Sequence, residues 1–326
     1  MSFSPIKPEQ AKTDRQVEAF LKELNSADAP PVESLPPEQA RQVLTNAQKS
    51  VEIDLSGVEE SEQIISVDGQ SLSLNIVRPV GQASKPLPAF MFFHGGGWVL
   101  GDYFTHRRLV RDLVVASGAV GIFVNYTPSP EAQYPVAINQ AYGATRWVAE
   151  HGATIAIDGS RLAVAGNSVG GNMATVVALM AKEQGTPSLA LQLLLWPVTD
   201  ANFDTESYQQ YPEGYFLTKG MMEWFWDNYT TDAAQRREIT ASPLQALPEQ
   251  LAGLPPALVQ VAEYDVLRDE GIAYARKLNE AGVDTTLVSY HGLIHDYGLL
   301  NPLQHVPGVQ SAIGHAAAEL KKFLFG

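Results

Sequence analysis

The segment Leu162-Ala-Val-Ala-Gly-Asn-Ser-Val-Gly-Gly171 contains G-x-S-x-G as Gly166-Asn167-Ser168-Val169-Gly170, between an apolar run and a helical stretch. A serine in a sharp strand-to-helix turn can serve as a nucleophile, because the turn lifts Oγ clear of the backbone. Glycines two positions to either side leave the room that such a strained turn needs. The helix that follows aims its N-terminus at negative charge developing beside the serine. The chemistry implied is acyl transfer. The plain alternative is an ordinary turn in which Ser168 caps the helix.

Phe92-Phe93-His94-Gly95-Gly96-Gly97-Trp98 follows another apolar run. Consecutive glycines leave backbone N–H groups open to an oxyanion, and one such donor is worth about 3 kcal/mol at a tetrahedral intermediate. Gly95, Gly96 and Gly97 are all candidates, and the N–H of Val169, next after the serine, is a further one. A phosphate cradle is disfavoured, since neither G-x-G-x-x-G nor G-x-x-x-x-G-K-[ST] fits here.

A serine hydroxyl needs a base, and the base an orienting acid. In the known enzymes that carry such a serine turn, the chain order is serine, acid, histidine, each at the end of a strand. After the apolar run Ala257–Ala262 comes Glu263-Tyr-Asp265-Val-Leu-Arg-Asp-Glu270, and after Thr285–Ser289 comes Tyr290-His-Gly-Leu-Ile-His295-Asp-Tyr297. Asp265 lies nearer its strand end than Asp269 and Glu270, which suit the first turn of a helix, where they complement its dipole. Position alone does not separate His291 from His295. Their four-residue spacing could share a metal on a helix, but Gly292 lies between them and the H-E-x-x-H glutamate is missing, so no metal is expected. His106, His151, His305 and His315 read as structural.

Positioning these groups requires a frame of strands. From Pro88 on, apolar strand candidates (Ala89–Phe93, Val120–Asn125, Leu162–Ala165, Leu189–Leu195, Ala257–Ala262, Thr285–Ser289) alternate with helical stretches near Arg107–Ser117, Val136–His151, Val169–Gln184 and Glu270–Ala281, with a last helix over Val309–Leu324. This alternation predicts an α/β fold with a mostly parallel sheet covered on both faces. Upstream, Ile64–Val67 and Leu72–Val77 flank Asp68-Gly69 and predict a hairpin. Two helices are predicted before it: Val17, Phe20, Leu21 and Leu24 form one stripe, and Ala40, Val43, Leu44 and Ala47, after Pro36-Pro37, form another. Asp28 to Pro31 breaks between them.

Between Trp196 and Pro255 the alternation stops. Nine of 29 aromatics fall within the 27 residues from Phe203 to Tyr229, which reads as a helical insertion whose rings could wall an apolar pocket. Trp98, Tyr215 and Phe216 are the expected substrate contacts. The expected division is a helical segment over 1–52, core over 53–199, an insertion over 200–250 and core again over 251–326.

Composition excludes whole classes. The chain has 326 residues, 45% of them apolar, enough for a large core and too many for disorder. Its 22 basic and 36 acidic residues leave a net charge of −14, which disfavours nucleic acid and anionic membrane partners. Without cysteine, disulfides and thiol chemistry are absent. The opening residues MSFSPIKPEQAKTDRQ lack an apolar h-region and no apolar run is long enough to span a bilayer, so a cytoplasmic location is expected.

Together these motifs resemble the hormone-sensitive-lipase-like family of α/β-hydrolase carboxylesterases, over about Ile64 to the C-terminus. The resemblance implies the α/β-hydrolase fold, with the N-terminal helices and the 200–250 insertion forming a helical cap. It implies backbone oxyanion donors in His94-Gly-Gly-Gly-Trp98, Gly96 foremost, and Ser168 as nucleophile in Gly166-Asn-Ser-Val-Gly-Gly171. In Asp265-Val-Leu-Arg-Asp269 the first aspartate would be the acid. In His291-Gly-Leu-Ile-His295 the last histidine would be the base, which favours His295. Asn125-Tyr126 through Glu131 and Pro135 is similar to the family's connector. Two positions depart from it: Asn167 stands where aspartate is commonest, and Asp296 where glycine is usual.

The reading is thus a serine esterase for short acyl esters, with a small-molecule ester as partner and no cofactor. A ligand receptor on the same fold is the alternative, weakened because such relatives lose the histidine that this chain retains. Amide, lactone or thioester hydrolysis would use the same machinery. No coiled-coil seam argues for assembly, and the oligomeric state stays open.

Overall fold

Asp68 and Gly69, with φ of 49° and 79°, close a tight hairpin between β1 (Val58–Val67) and β2 (Gln70–Pro79). In this computed structural model, which describes residues 12–27, 29–82 and 85–326, six further strands continue the sheet. They are β3 (Leu87–Phe93), β4 (Val120–Val124), β5 (Ile157–Asn167), β6 (Gln192–Leu195), β7 (Ala257–Tyr264) and β8 (Thr285–Ile294). The spatial order is β1-β2-β4-β3-β5-β6-β7-β8, antiparallel across the first two pairings and parallel from β4 onward. Residues 1–11 of the expected leaderless start, and Asp28 of the expected break, lie outside the described residues.

The central strands are apolar on both faces because helices cover both. Phe90 and Phe92 of β3 point to one side, toward α3 (Tyr103–Ser117) and α10 (Pro307–Phe325). Ala89, Met91 and Phe93 point to the other, where α4 (Val136–His151), α5 (Val169–Gln184) and α9 (Arg268–Glu280) pack. All five β3 side chains are fully buried, so truncating either phenylalanine of the first set to alanine would cost about 3–5 kcal/mol.

The N-terminal helices form where their stripes predict, as α1 (Arg15–Ser26) and α2 (Pro37–Lys49). Asp14 caps α1 by accepting from the Gln16 N–H, and Pro37 opens α2 at its first turn. Arg41 ties α2 to the core: its Nε donates to Val99 O at 2.8 Å and its Nη2 pairs with Glu131 at 2.6 Å. Gln48 donates to Leu299 O at 2.9 Å and accepts from the Asn301 N–H. The stretch after β6 holds no strand, only α6 (Glu206–Gln210), α7 (Lys219–Tyr229), α8 (Pro248–Leu251) and short turns. No helix among the described residues is long and apolar enough to cross a membrane.

Two strand limits differ from expectation in ways that matter. β6 begins at Gln192, later than Leu189. β8 runs on to Ile294, past Ser289, because its pairing with β7 resumes after a register shift between Ala262 and Tyr264. Consequently His94, Ser168, Asp265 and His295 each follow directly after the last residue of a parallel strand.

Candidate active site

Ser168 joins β5 to α5 with φ 55° and ψ −123°, a conformation that L side chains rarely adopt. The turn closes because a Cβ at Gly166 would collide with the Gly170 backbone, and one at Gly170 with the carbonyl of Phe93. His295 Nε2 lies 3.0 Å from Ser168 Oγ, and its Nδ1 lies 2.7 Å from Asp265 Oδ2. Asp265 spends its other oxygen on the Leu267 N–H, at 2.9 Å. A carboxylate only accepts, so His295 donates from Nδ1 and leaves Nε2 to accept the serine proton. All three side chains are buried, the serine at 4% exposure opening onto a cavity.

Burial opposes charge on His295. The carboxylates of Asp265 and Asp296, with the Asp265 hydrogen bond, outweigh it and hold the imidazole above its ordinary pKa. His291 is four-fifths exposed and pairs with Glu263 at 3.3 Å, away from Ser168. The length of β8 therefore separates the two histidines where sequence position did not.

The glycine loop faces the same point. Gly96 and Gly97 have φ of 104° and 64°, and a Cβ on Gly97 would enter the Phe225 ring. Among the described residues neither of their N–H groups donates a hydrogen bond, and Val169, first in α5, has no intrahelical partner for its own. Gly95 differs from expectation: its N–H donates to Asn167 Oδ1 at 3.0 Å and is spent as a structural tie. His94 supports the loop from below, its Nδ1 2.8 Å from Gly95 O and its ring stacked on Tyr126 at 4.1 Å. Burial pushes its pKa down to about 4, so the ring is neutral and donates to that carbonyl.

The cavity over Ser168 is apolar except at Ser168, His295 and Asp296. Phe20 and Leu24 of α1, and Ala40, Val43, Leu44 and Ala47 of α2, form one wall; Phe216, Leu217, Met221 and Phe225 form another. Of the three expected substrate contacts only Phe216 lines it. Trp98 is fully buried, stacked at 4.0 Å on Tyr229 and edge-on to Trp226, so it serves the core. Tyr215 stacks on Tyr264 at 5.1 Å, outside the lining.

The sequence placed α1 and α2 in an expected cap without naming any of their residues as cavity wall. The signal was the length of the apolar stripes: Leu24 and Val43 extend them, and in the structure these two stay 39% and 42% exposed. Asp296, noted in the sequence only as a departure, is a buried carboxylate at φ 56° on the same cavity lining as Ser168, and the reach of Glu270 was missed. Glu270 is more than a dipole partner of α9. Its Oε1 accepts from the N–H groups of Thr199 and Asp200, and burial holds its pKa well above the usual carboxylate value.

Comparison with known proteins supports the same fold and an esterase activity. Residues 90–299 match a family described as having the alpha/beta hydrolase fold. The chain is 38% identical to an ethyl acetate hydrolase of Pseudomonas putida, over 71% of this chain and 72% of that one. It is 37% identical to carboxylesterase NlhH of Mycobacterium tuberculosis, over 73% and 74% of the two. Among solved structures, a thermostable esterase from Pseudomonas putida superposes with a TM-score of 0.95 at 63% identity, covering 99% of both chains. An esterase from Rhizomucor miehei superposes with a TM-score of 0.90 at 40% identity, over 96% and 97%. With this sheet order, the serine turn after β5 and these relatives, the chain belongs to the hormone-sensitive-lipase-like α/β-hydrolase carboxylesterases and is a carboxylic ester hydrolase.

Proposed function

We propose that the enzyme hydrolyses short-chain acyl esters through Ser168, His295 and Asp265, by way of an acyl-enzyme. The observation that carries this reading is the continuous hydrogen-bond path Ser168–His295–Asp265 at the floor of an apolar cavity. Ser168 Oγ attacks the ester carbonyl carbon while His295 Nε2 takes its proton. Asp265 fixes the tautomer and stabilises the imidazolium. The N–H groups of Gly96, Gly97 and Val169 hold the oxyanion. When the ester C–O bond breaks, His295 returns the proton to the leaving alcohol; water then repeats the sequence on the acyl-enzyme.

Substrate selection rests on the apolar walls. Phe216, the α1 and α2 side chains and the α7 residues act as a cap that closes around an acyl chain and excludes water. A short chain suits this closed arrangement, and the ethyl acetate hydrolase relative supports it. The partner is a small-molecule ester, and the charge of −14 speaks against nucleic acid or an anionic membrane. The reaction needs no cofactor, and a cytoplasmic location fits the composition.

The test is turnover of p-nitrophenyl esters from acetate to palmitate by the wild type. A maximum at acetate or butyrate is the expected result. A maximum at the long-chain end would overturn the short-chain reading.

A further inference from the structure

Asp296 directly follows the proposed base and stands in the cavity beside Ser168, yet the steps above give it no work. Its Oδ1 is fully engaged, accepting from Asn167 Nδ2 at 2.9 Å and from Trp196 Nε1 at 2.7 Å. Its Oδ2 has no hydrogen-bond partner among the described residues, and lies 3.9 Å from His295 Nε2. Two donors thus clamp one oxygen and turn the other toward the point where the base acts. The backbone here has φ 56°, so a side chain is held in a conformation that favours glycine.

We propose that Asp296 is a positioning residue for the water that hydrolyses the acyl-enzyme, and that it biases the enzyme toward water over alcohol acceptors. The proposal rests on the Ser168–His295–Asp265 reading. Two acceptors 3.9 Å apart can both be reached by one water at ordinary hydrogen-bond lengths. Once Oγ is acylated, Nε2 is free to accept, and the water gives one O–H to Nε2 and the other to Oδ2. Its oxygen forms the new bond to the acyl carbon, and the proton on Nε2 passes to Ser168 Oγ as the acyl C–Oγ bond breaks. The proton facing Oδ2 stays with the acid product. An alcohol has a single O–H, which Nε2 must receive, so its alkyl group would be turned toward a bare carboxylate oxygen. Water satisfies both acceptors; an alcohol satisfies one.

The test is the partition of the acetyl-enzyme between water and added methanol, with p-nitrophenyl acetate as donor and methyl acetate and acetate measured as products. The ratio is set after acylation, so a general loss of folded enzyme does not move it. Asp296→Asn keeps a carbonyl for the Asn167 and Trp196 donors and presents an amide donor in place of the acceptor. Asp296→Gly relieves the backbone and removes the side chain. The ratio of methyl acetate to acetate is expected to rise about tenfold in both, the worth of one charge-assisted hydrogen bond. A ratio within twofold of wild type in both variants would overturn the proposal. Failure of wild type to form any acetyl-enzyme on Ser168 would overturn the triad reading and this proposal with it.

Discussion

Asn167 donates its Nδ2–H to Oδ1 of Asp296 at 2.9 Å, linking the residue before the serine to the residue after the histidine. An aspartate at 167 would set two buried carboxylates in contact, and like charges so placed cannot both ionise. Asn167 also keeps an acceptor for the Gly95 N–H, so the exchange adds a donor toward Asp296 without loosening the glycine loop.

Asn167→Asp should therefore lower stability by about 3 kcal/mol, the scale of a buried charge left uncompensated. Adding Asp296→Gly should restore part of that loss, because it removes the opposing carboxylate. Urea unfolding of both single variants and the double variant measures the coupling. Additive losses would mean that the two side chains do not interact as described.

Gly97→Ala should lower kcat about 100-fold with little change in KM. The added Cβ would enter the Phe225 ring at a φ of 64°, so the loop must move, and its donors with it. Loss of one oxyanion donor costs that much. Steady-state kinetics on p-nitrophenyl acetate decide, and unchanged kcat would remove Gly97 from the proposed donors.

The acid limb of kcat/KM should lie above pH 6.5. A base whose pKa is raised stays protonated to higher pH, so activity appears only as pH rises through that raised value. Two carboxylates face the imidazole, Asp265 at Nδ1 and Asp296 on the Nε2 side. Asp296→Asn removes one negative charge and should move the limb to lower pH. A limb that stays in place would show that Asp296 does not act on His295.

Ala47→Phe should narrow the wall that α2 gives the cavity. Rates on hexanoate should fall about tenfold relative to acetate, since excluding a methylene or two from an apolar pocket costs on that scale. A chain-length profile identical to wild type would place the acyl chain elsewhere.

Much of the frame was legible in the sequence because period and punctuation agreed. Val136–His151 and Val169–Gln184 form helices with the expected limits, and Asp68-Gly69 turns the hairpin. The site residues were legible as types near strand ends. Their separation depended on long-range pairing: β8 reaches Ile294 only because β7 carries it past a register shift, and no local signal marks that. Trp98 was expected as a substrate contact beside the glycine loop, yet its ring turns inward onto Tyr229, 131 positions later. The family resemblance implied that α1 and α2 belong to a cap, but their stripes alone did not say which of their residues face the cavity. An amphipathic stripe says that a face is covered without saying whether core or substrate covers it.

The most direct test of the serine mechanism is treatment of wild type and Ser168→Ala with a p-nitrophenyl alkylphosphonate, followed by intact mass and peptide mapping. The expected result is one adduct per wild-type chain on Ser168, stoichiometric release of p-nitrophenol, loss of esterase activity, and neither adduct nor turnover in the variant. Ester hydrolysis that persists in Ser168→Ala, or an adduct on a different residue, would contradict the account.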